Sequence, residues 1–528
     1  MKPARLLKST AIIASLTLFS RLLGLIRDIL IASYLGAGAV SDAFFTAFKL
    51  PNVFRRMFAE GAFNAAFVPL YARRIEEEGD EAADNFASEV GSMLLAVVFG
   101  VILFFELTMP WSLNIIGYGL DKTAPEGIMS PYSLAVTYAM ITMPYLLFMS
   151  LMALFSGIMN TRQKFALPTF ALALLNVFMI NALVGSYHAG FDKEKIATTL
   201  SAAIMISGIA QAGLVYWGCK RIGVKFHFRR PRLTPNVKRL VILGVPGIIS
   251  AGITQINLVV SHAIATMQQS AASWLTYADR LYQLPLGMIG IAMGIALLPA
   301  LSRRIRANDE EGANMSFNRG MEIAAFLTLP AAVALFVIPD LLIAGIYQRG
   351  EFVPETTLQV SKALRFFALG LPAFVMIKVL TPAFFARENT KSPMIYAAIS
   401  AFINITLGLY LFKTIGFEGL ALATSIAAWV NVACLSFVLL KKAHWRPDRR
   451  LLTRSPRIFL ASLLMGLGLW AMRPYVPDFA EVNLIMDFLI LSVLCGLGGI
   501  IYAIAAIILR AFGLSDIRDA FSRQKTST

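Results

Sequence analysis

Blocks of roughly 20 consecutive apolar residues, separated by short charged or Gly/Pro-rich breaks, run the length of this 528-residue chain. A helix of that length crosses a hydrocarbon core about 30 Å thick. Read in order, the blocks predict about fourteen membrane helices, near 10–35, 42–71, 89–109, 132–157, 166–187, 196–219, 238–262, 272–300, 318–338, 357–382, 393–413, 417–441, 456–473 and 483–511. Charged residues make up 15% of the chain, well below the quarter or so that keeps a soluble domain in water. The expected class is therefore an all-α polytopic membrane protein, which excludes a water-soluble enzyme or binding module.

A net charge of +16 would suggest nucleic acid in a soluble chain. Here most of the 47 Lys and Arg fall in alternate loops, as the positive-inside rule requires, and no nucleic-acid partner is expected. With the N-terminus inside, the basic clusters Lys220 to Arg239 and Lys441 to Arg457 are both cytoplasmic, and an even helix count returns the C-terminus to the same side. Lys2, Arg5 and Lys8 precede an apolar run in the manner of a signal peptide. Arg21 and Arg27 then interrupt the apolar stretch and no A-x-A site appears, so this segment is expected to be an uncleaved first span. Cys219, Cys434 and Cys495 have neither metal nor redox spacing and are expected to be small apolar fillers.

The chain also repeats. FKLPN at 48–52, Pro69 and Arg73-Arg74 return as YQLPL at 282–286, Pro299 and Arg303-Arg304. PWSLNIIGYG at 110–119 resembles PDLLIAGIYQRG at 339–350, and Arg162 and Arg387 each precede a proline by six residues. The matches keep their order, which predicts two homologous six-helix lobes in a parallel repeat with a transport cavity between them. The expected organisation is an N-terminal lobe at 1–219, a basic linker at 220–237, a C-terminal lobe at 238–441, and a final segment at 442–528 with two extra helices.

Ionisable residues inside a span are costly and face the protein interior or a watery cavity. On the first helix Thr17, Ser20, Arg21, Gly24, Arg27 and Asp28 share one face, which either binds a ligand or forms a buried Arg–Asp network. On the second, Asp42, Lys49, Asn52, Arg56 and Glu60 share a face with Arg55 to the side. Arg56 and Glu60, four apart, can simply pair; Pro51 is expected to kink the helix. On the eighth, Ser273, Thr276, Tyr277, Arg280, Gln283 and Gly287 line up, with Asp279 placed to orient Arg280. An arginine-rich cavity suits a diphosphate, because the planar guanidinium binds phosphate oxygens bidentately; a cation exporter is expected to present carboxylates and aromatics. Lys378 and Arg365 are either cavity residues or interfacial snorkellers. His188, His227 and His444 are expected in loops or at membrane edges, His262 in a structural role, and the acidic stretch Glu76 to Asp84 on a solvated face. No Walker A, H-E-x-x-H or nucleophile elbow is present.

The stretch SRLLGLIRDILIASYLGAGAVSDAFFTAFKLPNVFRRMFAEGAFNAAFVP from Ser20 to Pro69 resembles the N-terminal signature of the MurJ/MviN family, and YADRLYQLPLGMIGIAMGIALLP at 277–299 resembles its second-half counterpart. The resemblance implies the multidrug/oligosaccharidyl-lipid/polysaccharide exporter superfamily. It also implies flipping of lipid II, the undecaprenyl-pyrophosphate-linked disaccharide peptide, from the cytoplasmic to the periplasmic leaflet of a bacterial inner membrane. It maps the family's cavity arginines onto Arg21, Arg27, Arg55 and Arg280 and further functional positions onto Asp42, Asn52 and Ser273. Asn52 and Ser273 are expected to bind substrate with the arginines, and Asp42 to support or gate, as are Asp28, Lys49, Arg56, Glu60, Asp279 and Gln283 from their places on the polar faces. Gln283 departs from the family members that carry Glu there. The two extra helices would form a groove for the lipid tail. Partners implied are lipid II, membrane lipids and cell-wall synthesis proteins. No cofactor is expected; coupling to the membrane potential or to a monovalent cation stays open, and no metal site is legible. The competing readings are another exporter of the superfamily, for a drug or another polyprenyl-linked oligosaccharide, a membrane glycosyltransferase, and a scaffold. The short external loops disfavour the glycosyltransferase, and a scaffold does not explain intramembrane arginines.

Overall fold

The computed structural model describes residues 3–56, 62–123, 129–477, 479 and 484–511. Among them there is no strand, and the chain folds as helices throughout. The first stretch contains α1 (Pro3–Leu35), α2 (Ala39–Arg55), α3 (Ala62–Glu78), α4 (Asp80–Ile116), α5 (Pro131–Thr142), α6 (Tyr145–Thr161), α7 (Ala166–His188), α8 (Lys193–Arg221) and α9 (Pro235–Ala265). The second contains α10 (Ala271–Arg306), α11 (Glu310–Val337), α12 (Pro339–Tyr347), α13 (Pro354–Phe385), α14 (Lys391–Ile415), α15 (Glu418–Lys441), α16 (Arg449–Met472) and α17 (Leu484–Ile508).

The helices begin where the sequence supplies a cap. Ser130, Thr234, Asp192, Asp309 and Asp448 each accept a backbone N–H three residues on, and Pro131 and Pro235 occupy the first turn, where no N–H is needed. By length and composition, ten helices among the described residues are apolar enough to cross a membrane. The other four expected spans fall on α1, on α2 with α3, on α9 and on α10. Large apolar side chains such as Leu107, Trp111, Ile485 and Val493 point outward, as lipid-facing surfaces do. Pro51 lies inside α2. One detail departs from expectation. The repeated proline motif ends differently in its two copies: α4 continues through Pro110 to Ile116, whereas α11 stops at Val337 and Pro339 starts the separate α12.

By packing the chain divides into two compact units, Met1–Ser273 with Gly350–Phe352, and Trp274–Arg349 with Val353–Thr528. The division falls beyond the repeat border at 220–237 because α9 packs on α3 and α4. The loop Gly350–Phe352 belongs to the first unit through backbone contact: Glu351 donates its N–H to Ser33 O (2.8 Å), and its carboxylate pairs with Lys193 at 2.7 Å. Gly36 has φ +64 and its missing Cβ would overlap the Glu351 carbonyl, so only glycine fits there.

In each unit the basic linker that leaves a lobe is strapped onto one helix. In the first unit Lys225, His227 and Arg229 donate their backbone N–H to Asp84 Oδ2 (2.8 Å), Ser88 Oγ (3.1 Å) and Ser92 Oγ (2.9 Å) of α4. The two spacings match: every second residue of an extended chain advances about 6.6 Å and every fourth helical residue about 6 Å. Asp84 is buried and also takes Arg162 (3.0 Å) and the Tyr71 hydroxyl (3.0 Å). The expectation of a solvated acidic face therefore holds for the exposed Glu76 to Glu81 and fails at Asp84, one turn inside the packed helix. In the second unit Asn314 and Asn318 of α11 both donate to Arg446 O (2.9 and 3.0 Å), Asn314 accepts the Arg446 N–H (2.8 Å), and Asn318 accepts the Trp445 indole N–H (2.8 Å). One turn on, the buried Glu322 collects Arg319, Arg450 (3.1 Å) and Arg454 (2.6 Å).

Candidate functional site

The polar face of α1 is real and is built around Arg27. Its neighbours on the other faces are apolar, and the residue lies 9% exposed among them. Nε and Nη2 donate to Asp28 Oδ1 at 2.9 and 2.7 Å, and Nη1 donates to Asn176 Oδ1 of α7 at 2.7 Å. A guanidinium has five N–H donors, so three are engaged and two remain for a ligand. The charge is balanced by Asp28, which is how a membrane helix carries an arginine at all. Arg21, two turns back and half-buried, makes no hydrogen bond or ion pair among the described residues. Gly24 lies between them opposite Asn176, and an added Cβ would stand 3.9 Å from the Asn176 amide. The gap is thus wide enough for a methyl group, so glycine is not sterically required.

On α2 the structure brings Asn52 and Arg55 together. Arg55 donates from Nε and Nη2 to Asn52 Oδ1 at 3.0 and 2.8 Å, one helical turn apart, so these two act as one unit. Lys49 and Arg56 are half-buried on the same helix. Glu60, and with it the expected Arg56–Glu60 pair, lies outside the described residues. Asp42 is 3% exposed and accepts three bonds at the start of α10: from Ser270 N (2.7 Å), Ser273 N (2.8 Å) and Ser273 Oγ (2.6 Å). A carboxylate at a helix N-terminus satisfies donors that the helix cannot. Ser273 is fully buried and its hydroxyl is given to Asp42. In this arrangement its hydroxyl proton serves the cap.

In the second unit, Arg280 of α10 is half-buried. Asp279 accepts a hydrogen bond from Gln283, one turn on, so Gln283 acts as a partner for Asp279. Lys378 and Arg365 of α13 are exposed, and the Lys378 stem lies along Gly290. The carboxylates of α1, α2 and α10 are thus each held by an intramolecular donor, and arginines dominate the polar faces.

Asn176 has little signal in the sequence. It is a lone amide in the apolar run LALLNVFMI, and nothing in α7 says that this amide faces Arg27. His262 is buried and bonds Thr46 Oγ1 at 2.9 Å, a structural pairing. A small cavity of about 260 Å³ opens between Ile12 and the turn Gln163 to Leu167, with Lys164 as its one charge. Among the described residues no group of three His, Cys, Asp or Glu is placed to hold a metal ion.

The chain is similar to known proteins over nearly all of its length. The model of a family described as "Lipid II flippase MurJ" matches residues 31–489. A protein of Rhizobium meliloti named "Probable lipid II flippase MurJ" is 44% identical over 468 residues, covering 88% of this chain and 86% of the relative. A Vibrio cholerae protein of the same name is 33% identical over 521 residues, 98% of each. Among solved structures, one described as "Lipid II flippase MurJ, inward closed conformation" superposes with a TM-score of 0.78 at 28% identity, over 94% of this chain and 98% of that one. An inward-facing MATE multidrug transporter of the MOP superfamily shares the fold at TM-score 0.68 and 16% identity, over 82% and 98%.

Proposed function

This chain belongs to the lipid II flippase MurJ family, and we propose that it carries lipid II across the membrane by alternating access, with its intramembrane arginines holding the diphosphate. It is a multi-pass membrane transporter, with lipid II and the surrounding lipids as partners. The observation that carries the arginine assignment is Arg27, buried in α1 with its charge balanced and two N–H donors left over. Two parallel N–H groups on a planar fork match two oxygens of a phosphate. The carboxylates on the same helices are engaged within the protein, which favours an anionic head group over a cationic drug. Arg21 and Arg55 with Asn52 extend the cationic lining of the first unit, and Arg280 carries the same chemistry in the second.

In this reading the basic linkers and both termini face the cytoplasm of a bacterial inner membrane. The head group enters from that side while its polyprenyl tail stays in lipid, along α16 and α17. Asp42 acts as a gate: its bonds to Ser270 and Ser273 break as the head group leaves on the other side. An inside-negative potential assists outward movement of an anion by about 2.3 kcal/mol per charge per 100 mV, so the membrane potential is the proposed energy source, with a monovalent cation as the alternative. Docking to cell-wall synthesis proteins belongs to the same proposal, and no nucleic acid takes part.

The test is lipid II translocation in cells depleted of their own flippase. Wild type restores exposure on the outer leaflet; Arg27→Ala and Arg280→Ala, present at wild-type levels in the membrane, do not. Restoration by both variants would reduce these arginines to structural roles. A well-inserted wild type that restores nothing would overturn the substrate.

A further inference from the structure

Arg27 is held from two helices. Asp28 grips it with a single oxygen, Oδ1, which takes both Nε and Nη2. A guanidinium fixed at one oxygen can still swivel about that atom. The third point comes from α7, where Asn176 Oδ1 takes Nη1 at 2.7 Å. Asn176 is itself fixed: it is 7% exposed, and its Nδ2 donates to Ser20 O at 3.0 Å. The polarity of the amide fits both neighbours, an acceptor toward the arginine and a donor toward the carbonyl, and no other arrangement of the group satisfies both. Leucine supplies neither, and aspartate turns a second acceptor against Ser20 O.

We propose that Asn176 is a positioning residue for transport, which fixes the plane of Arg27 so that its two remaining N–H groups point at the diphosphate. The proposal rests on the reading of Arg27 as a diphosphate ligand. A phosphate recognised bidentately needs both donors in one plane, so a freed guanidinium loses affinity even though its charge is unchanged. The competing role for a buried amide is glue between membrane helices, here α1 to α7 through Ser20 O. That role makes a different prediction, because glue acts without Arg27.

The test is lipid II binding to the purified protein in nanodiscs, in a double-mutant cycle. Asn176→Leu is expected to raise the Kd about tenfold, the scale of one charge-assisted hydrogen bond. In the Arg27→Ala background the same replacement changes the Kd less than about twofold, since the residue it positions is gone. Asn176→Ala, which leaves a gap in place of a bulkier side chain, gives the same pattern if Asn176→Leu folds poorly. An equal loss in both backgrounds assigns Asn176 to helix packing and overturns the proposal, as does an unchanged Kd in the single variant. Wild type that binds no lipid II overturns the functional reading beneath, and is told apart because it fails before any Asn176 variant is compared.

Discussion

The two linker straps solve one problem with different chemistry. Asp84, Ser88 and Ser92 of α4 stand one turn apart, and Asn314, Asn318 and Glu322 of α11 stand 230 residues further along, position for position. In the first unit the three side chains accept three backbone N–H groups from alternate linker residues. In the second, two amides fasten the backbone of a single residue, Arg446, and the third position collects arginines instead. A second pair of matched contacts flanks each strap: Arg162 reaches Asp80 at 3.1 Å and Arg387 reaches Glu310 at 2.7 Å, where Glu310 again lies 230 residues beyond Asp80. The repeat therefore preserves where a linker is tied down and leaves open how. The buried carboxylate sits at the first position of one stripe and at the last of the other.

The largest effect that could break this comparison is at Glu322. Glu322→Ala leaves three arginines around a buried site without their shared carboxylate, and is expected to cost about 3–5 kcal/mol, read as a loss of thermal stability in detergent. Asp84→Asn copies the first residue of the other stripe. It keeps an acceptor for the Lys225 N–H and loses the ion pair with Arg162, at an expected cost of about 1–2 kcal/mol, whereas Asp84→Leu costs about 3 kcal/mol. Equal losses in the two Asp84 variants would mean that charge, and not the polar stripe, ties the linker. Ser88→Ala removes one backbone acceptor, about 1 kcal/mol. Its clearer signature is faster hydrogen exchange at the His227 amide, with the Arg446 amide unchanged.

The smallest effect is in pH. Burial, with the Arg387 guanidinium second, holds His444 below its ordinary imidazole value. As pH falls through about 6.5 the unfolded chain takes up a proton that the folded ring does not, so the unfolded state gains ground and stability declines toward pH 5. His444→Gln is expected to flatten that part of the melting-temperature profile. A variant with the wild-type slope would show that His444 does not carry it.

Most of the fold was legible because membrane helices are written in blocks: apolarity of about 20 residues leaves the backbone no alternative in lipid. The repeat was legible in its prolines and arginine pairs, and the polar faces of α1 and α2 came from helical periodicity alone. What escaped were partners on other helices. Asp84 reads as one more acid in a charged stretch until α4 is seen packed against the linker. Ser273 reads as a cavity residue because it shares a face with Arg280, yet Asp42 of α2 has already taken its hydroxyl.

The sequence by itself determined the helices, their polar faces, the two-lobe repeat and, through long motifs, the family. Those features are local, set by hydropathy, helical period and residue order along one chain. Only the tertiary structure decided which charges are held by partners within the protein and which keep donors to spare. That distinction depends on what stands within about 3 Å of each donor, and for Arg27 the deciding atom lies 149 residues away, on Asn176.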